Sequence, residues 1–154
     1  MHSSSMVLME QFRDKYLGGM RGCTVLDIGS CQQKNQENYR KLFGDYLYTG
    51  MDIVSGPNVD LVGYESIEGT YDVVISGQTL EHVTHPWDVM KKWATLFRKY
   101  ICVIAPNTSK WHKCPIHTYQ YYPDGFADLF EYAGIIPLEF RKEGHDTIGI
   151  GKHP

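Results

Sequence analysis

Small and acidic residues end two apolar runs of the sequence, where they could hold a nucleotide-like ligand. Asp27, Gly29 and Ser30 stand at the end of the run Thr24–Ile28, and Asp52 ends a second run about 25 residues further on. A glycine lets a ligand approach the backbone closely, and the free N–H groups of a following helix can bind it. A carboxylate at the tip of a second strand can accept both hydroxyls of a ribose. The spacing therefore predicts a site for an adenosine-containing cofactor.

Two histidines are candidates for a general base. His82 follows the apolar run YDVVIS, and His117 lies in a loop rich in His, Trp and Tyr. An unperturbed imidazole titrates near pH 6.5, so either side chain could accept a hydroxyl proton at neutral pH. The alternatives are structural: His82 would pack under the next helix, and His117 would hydrogen-bond within its own loop.

His112, Cys114 and His117 stand close together in the same loop and raise the question of a metal site. Their H-x-C-x-x-H spacing matches neither the paired CxxC pattern nor the HExxH pattern of zinc sites. We therefore predict no metal site.

Four aromatic residues of this loop have two interpretations. They could form a stacking wall for a sugar or another flat substrate, or they could cover a small core. The four are Trp111, Tyr119, Tyr121 and Tyr122.

The candidate residues must be positioned by alternating strands and helices. Periodicity and breakers predict helices at 6–17, 36–43, 87–98 and 124–133. The predicted strands are 24–28, 46–53, 59–62, 71–76, 101–105, 136–141 and 147–150.

This alternation predicts an α/β fold: a doubly wound, Rossmann-like, mainly parallel sheet. The runs VLDI, DVVIS and ICVIA are apolar nearly throughout, as strands covered on both faces are. Only Glu143-Gly144-His145-Asp146 separates the last two strands, so they should form a C-terminal antiparallel β-hairpin at one edge. We expect a single domain over residues 1–154, in which residues 1–5 could be a cloning remnant.

Composition limits the possible partners. The chain has 154 residues and a net charge of −3, which makes nucleic acid an unlikely partner. Its apolar stretches are too short to span a bilayer. The four cysteines form no CxxC pair, and no signal peptide is evident, so a cytoplasmic location is expected.

Five motifs in order resemble the class I S-adenosylmethionine-dependent methyltransferases. They are VLDIGS, YTGMDI, YDVVISGQTLEHV followed by PW, ICVIAPN, and the tail HTYQYYPDGFADLFEYAG with its closing DTIGIGK. The match is closest to the small bacterial methyltransferase-domain branch and covers roughly residues 20–152.

This resemblance implies S-adenosylmethionine as the cofactor and a role for each matching residue. Asp27, Gly29 and Ser30 would line its methionine end. Asp52 would hold the ribose hydroxyls, and Ile53 would pack on the adenine. The short strand Asp60-Leu61-Val62 would flank the adenine's other face or its exocyclic amine, and Ser76 and Gln78 would lie beside the sulfonium.

The chain departs from the family pattern in the first loop. The second glycine of the usual G-x-G falls near Cys31 or Gln32. The Pro-Gly-Gly turn before the fifth strand is absent too, and the links between strands two, three and four are short.

The expected function is methyl transfer to a small-molecule or glycan acceptor at oxygen. The alternative is a binding or scaffold module that kept the fold and lost catalysis. A nicotinamide-dependent oxidoreductase is disfavoured because the third glycine and the tight pyrophosphate turn are missing. So small a domain could also close its site against a second copy, as a homo-oligomer.

Overall fold

The computed structural model describes residues 3–33, 36–108, 111–113 and 116–154. Seven strands form one sheet in the order β3-β2-β1-β4-β5-β7-β6. The strands are β1 (Thr24–Ile28), β2 (Leu47–Asp52), β3 (Leu61–Val62), β4 (Tyr71–Gly77), β5 (Phe97–Pro106), β6 (Ile136–Glu143) and β7 (Asp146–Lys152). The helices are α1 (Ser3–Leu17), α2 (Pro86–Ala94) and α3 (Pro123–Tyr132).

The first five strands pair in parallel, and β7 pairs antiparallel with both β5 and β6. Both the mainly parallel sheet and the terminal hairpin are therefore confirmed. The antiparallel pairing of β6 with β7 follows from the short link between them, which leaves no room for a crossover helix.

Two apolar cores cover the two faces of the sheet. Successive strand residues point to opposite faces, so Val73 packs with α1 while Val74 packs with α2 and α3. This burial on both sides explains why the central strands carry nearly continuous apolar runs.

Two predicted helices differ from the structure. Residues 36–43 contain only a 3₁₀ segment, Tyr39–Phe43, in which Tyr39 and Phe43 are buried. The helix predicted at 87–98 ends at Ala94, and residues from Phe97 onward already belong to β5. Phe97 pairs with Tyr71 of β4, and this pairing makes the segment a strand.

No helix within the described parts of the chain combines the length and the apolar character needed to cross a membrane.

Candidate functional site

The predicted cofactor residues meet at the carboxyl ends of β2, β1 and β4. These three strands are neighbours, with Asp27 of β1 in register with Gly50 of β2 and Ile75 of β4. The chain winds outward in opposite directions from β1 and β4, which makes this edge the topological switch point where open α/β sheets bind ligands.

Gly29 makes the turn that follows β1. Its φ is +81°, a left-handed conformation that glycine adopts without strain. A Cβ at this position would lie 2.1 Å from Thr79 Oγ1, so the turn also requires a residue that has no side chain. The N–H groups of Gly29 and Ser30 both donate to Met51 O, at 2.8 and 3.1 Å. The first loop is thereby held against the end of β2.

Asp52 lies at the tip of β2, half-buried, beside an open apolar surface. Its Oδ2 accepts a hydrogen bond from the Cys31 N–H at 3.0 Å, while its Oδ1 has only a long 3.4 Å contact with the Val54 N–H. Ile53 is 73% exposed, and Val54 is exposed next to it. A carboxylate oxygen with acceptor capacity beside an exposed aliphatic surface is suited to a ribose with an attached flat base.

Asp27 lies beneath the first loop and is almost completely buried. The Tyr48 hydroxyl donates a hydrogen bond to it. Burial disfavours the ionised carboxyl and raises the pKa of Asp27 to about 7, although the Tyr48 hydrogen bond works in the opposite direction. The pKa of Asp27 therefore lies near neutral pH.

Asp60 and Leu61 lie on the far side of β2 from β1. The Asp60 carboxylate accepts hydrogen bonds from Gly50 N–H at 2.7 Å and from Arg40. Leu61 is half-buried against the core that includes α2 and α3. These contacts make Asp60 part of the support of β2.

Ser76 and Gln78 lie at the end of β4, as predicted. Ser76 is fully buried, and its hydroxyl donates to Ile28 O at 2.8 Å. Gln78 has a φ of +56° and donates from Nε2 to the buried Asp146 at 2.9 Å. Asp146 also accepts from Ser4 of α1 at 2.6 Å, which brings the start of α1 and the start of β7 to this edge.

The structure brings the two candidate bases together. His82 and His117 have ring centroids 6.1 Å apart, and His112 contacts both rings. His82 Nδ1 is hydrogen-bonded to the Ile116 carbonyl oxygen. Both ring nitrogens of His117 are buried without a hydrogen-bond partner, and burial lowers the pKa of this imidazole.

Glu81 joins this cluster and was not identified from the sequence. It is 2% exposed; its Oε1 lies 3.7 Å from His82 Nε2, and its Oε2 has no hydrogen-bond partner. Burial raises its pKa to about 8, and the negative charge of Asp146 adds to that rise. The only sequence signal was its place beside His82, which says nothing about burial.

No group of three or more His, Cys, Asp or Glu side chains among the described residues is arranged to hold a metal ion. Cys114, which the sequence placed between His112 and His117, lies outside the described residues.

The four loop aromatics divide between the two interpretations. Tyr121 is buried and packs on Phe126 in the core, so for this residue the stacking-wall interpretation is wrong. Tyr119 is exposed and its ring lies 6.5 Å from that of Trp87, itself exposed on α2. Trp111 and Tyr122 are exposed as well.

No protein-family model matches the sequence, and no curated protein matches it either. Solved structures, however, share its fold. Magnesium protoporphyrin IX methyltransferase from Synechocystis PCC 6803, solved with SAH bound, superposes with a TM-score of 0.70 at 14% identity, over 98% of this chain and 83% of that one. A SAM-dependent methyltransferase from Aquifex aeolicus gives 0.66 at 16% identity, with all of both chains covered.

The (4+2)-cyclase SpnF superposes equally well, with a TM-score of 0.70 at 10% identity over 97% of this chain and 80% of that one. At such identities the likeness concerns the fold and leaves the chemistry open. The chain has the fold of the class I S-adenosylmethionine-dependent methyltransferases.

Proposed function

We propose that the protein transfers a methyl group from S-adenosylmethionine to a hydroxyl of a small-molecule or glycan acceptor. The observation that supports this most is the tip of β2. There Asp52 keeps acceptor capacity beside the exposed Ile53, next to the Gly29 turn at the switch point of the sheet. An adenosine cofactor needs this combination of a carboxylate and an open apolar surface.

Each candidate residue would contact one part of the cofactor, and the order of the strands sets which part. Asp52 would hold the ribose hydroxyls, and Ile53 would pack on the adenine. Asp27, Gly29 and Ser30 would surround the methionine end. When bound, S-adenosylmethionine supplies an activated methyl group, so the protein's task is alignment and proton removal.

Gln78 and Ser76 would lie beside the sulfonium, and Leu61 would flank the adenine side. Asp60 has partners that suggest a supporting position: its carboxylate holds Arg40 and the Gly50 N–H. We therefore assign it the shaping of the β2 tip, with adenine contact as the sequence-based alternative.

His82 is our first candidate for the base. A carbonyl can only accept a hydrogen bond, so the contact with Ile116 O places the proton on His82 Nδ1 and leaves the Nε2 lone pair available in the neutral ring. Nε2 lies 3.7 Å from Oε1 of the buried Glu81 carboxyl, and the Glu81 pKa of about 8 leaves that carboxyl mostly protonated at neutral pH. His117, with two unpartnered ring nitrogens, is the second candidate.

The acceptor class is inferred from the exposed aromatic rings near this cluster. Trp87 and Tyr119 lie side by side, and His85 contacts Trp87. Aromatic rings bind the apolar faces of sugars and other flat molecules, which supports a glycan or a ring-bearing small molecule. A cytoplasmic location and assembly with a second copy remain predictions, and light scattering would test the assembly.

Isothermal titration with S-adenosylmethionine and with S-adenosylhomocysteine tests the proposal. We expect both to bind the wild-type protein and Asp52→Ala to lose measurable binding, with a thermal midpoint within a few degrees of wild type. Asp45→Ala is the matched control, since it removes an exposed carboxylate at the amino end of β2. Unchanged affinity in the Asp52 variant would refute the ribose assignment.

A non-catalytic binding or scaffold module is the second candidate. The observation that favours it is that the N–H groups of residues 29–32 donate to Met51, Asp52 and Pro57, so none of these four donors is left for a ligand. Absence of binding at millimolar ligand, by a protein shown to be folded, would favour this module over the enzyme.

A further inference from the structure

We infer that Asn58 is a positioning residue that holds the loop after β1 in its cofactor-binding conformation. In the resembled family pattern a second glycine shapes this loop, and here Cys31 or Gln32 stands near its place. The inference rests on the proposed function, because it concerns how the same cofactor site is shaped.

The backbone of Asn58 is unusual. Its φ is +70°, and Gln78 is the only other non-glycine residue with a positive φ in the described part of the chain. Asparagine tolerates this left-handed region better than most side chains do. The bend carries the Asn58 carbonyl to within 2.1 Å of where a Cβ of Gly50 would lie, so the segment before β3 packs directly on the backbone of β2.

From this bend Asn58 forms a two-way clamp with Ser30. Its Nδ2 donates to Ser30 O at 3.0 Å, and the Ser30 hydroxyl donates back to Asn58 O at 3.1 Å. Arg40 Nε donates to Asn58 Oδ1 at 2.7 Å and fixes the orientation of the amide. Each polar atom of the Asn58 side chain therefore has a defined partner.

The clamp connects both carboxylates of the cofactor site. Ser30 is followed by Cys31, whose N–H holds Asp52 Oδ2 at 3.0 Å. The same Asn58 Nδ2 also donates to the Tyr48 hydroxyl at 3.2 Å, and that hydroxyl donates to Asp27. The Asn58 side chain thus orients Asp52, the predicted ribose ligand, through Ser30 and Cys31, and it orients the buried Asp27 through Tyr48.

The clamp accounts for the departure from the family pattern. A second glycine would give the loop conformational freedom, whereas here side-chain hydrogen bonds fix a loop made of ordinary residues. Such support from outside the binding groups is how sites keep their geometry.

Asn58→Gly isolates the side chain, because glycine adopts a φ of +70° without strain. We expect the variant to fold and its affinity for S-adenosylhomocysteine, measured by isothermal titration, to fall about tenfold or more with the loss of two donor contacts. Asn58→Asp keeps the acceptor for Arg40 and loses both donors, so it should weaken binding similarly. Ser66→Ala is the matched control: it removes one hydrogen bond, to Val62 O, after β3, and should leave affinity unchanged.

A cycle with Asp52→Asn separates positioning from general support of the fold. If Asn58 acts partly through Asp52, the losses in affinity from Asn58→Gly and Asp52→Asn will be smaller together than their sum. Wild-type affinity in Asn58→Gly, or fully additive losses, would overturn the inference and leave the proposed function standing. A folded wild-type protein that does not bind S-adenosylhomocysteine would overturn both.

Discussion

Replacing Glu81 by glutamine should change how the stability of the protein depends on pH. The folded protein buries this carboxyl with one oxygen unpartnered and raises its pKa from 4.5 to about 8. The unfolded chain ionises it freely near its ordinary pKa. A raised acid pKa in the folded state means that stability falls as the pH rises between these two values. Glutamine has nearly the same shape and no proton to lose in this range.

The size of the effect follows from the two pKa values. Linkage between 4.5 and about 8 gives a loss of about 3–4 kcal/mol in the free energy of unfolding between about pH 5 and about pH 8, as an upper limit. Asp146 contributes to the raised pKa, because its negative charge disfavours a second negative charge on Glu81.

Denaturant unfolding of the wild type and of Glu81→Gln at several pH values measures this difference. The comparison cancels the titration of Asp27, which both proteins share. We expect the unfolding free energy of the variant, relative to that of the wild type, to increase as the pH rises. The sign of the difference at any one pH is not part of the prediction, because a buried amide has its own hydrogen-bond cost. Parallel curves for the two proteins would refute the raised pKa and, with it, the picture of Glu81 as a buried acid.

Two further predictions concern stability. Gly29→Ala should destabilise the protein by about 2 kcal/mol more than Gly19→Ala in thermal unfolding. Both glycines have a positive φ, but only at Gly29 would a Cβ contact Thr79. Equal losses of stability in the two variants would contradict this close contact. Glu139, whose pKa is lowered to about 2 first by its hydrogen bond to Lys15, should have the opposite pH dependence from Glu81. Its contribution is present above about pH 4.5 and lost toward pH 2. Because solvent screens the pair with the exposed Lys15, Glu139→Gln should flatten the acid limb by only about 1 kcal/mol in denaturant titrations; an unchanged acid limb would contradict this.

The sheet could be predicted because its signals are local. The strand Thr24–Ile28 was predicted with its observed bounds, since a β-branched apolar run ending at a glycine leaves little ambiguity. The segment Tyr39–Phe43 is predicted as part of a longer helix because the spacing of its apolar residues does not distinguish a short 3₁₀ segment from an α-helix. The start of β5 at Phe97 was missed because its pairing with β4, which is distant in sequence, decides it.

The positions of the candidate site residues could be predicted only where place along a strand determines them. Asp52 ends β2 and Gly29 directly follows β1, so the topology brings them to one edge. Glu81 and Asn58 have no such signal: their burial and partners come from contacts with Asp146, Ser30 and other residues far along the chain. Polar residues in loops acquire their environment only when the loops meet.

Two of the acids at this edge, Asp27 and Glu81, give a further reason to propose it as the functional one. Asp27 and Glu81 both have a pKa raised by burial, to about 7 and about 8, and both therefore cost stability when they ionise near neutral pH. Glu139, outside the edge, instead has a lowered pKa and stabilises the fold. A chain selected for stability alone gains by replacing buried acids with neutral residues of similar shape. Two raised pKa values beside the switch point therefore support the proposed site, because groups that transfer protons need pKa values near the working pH.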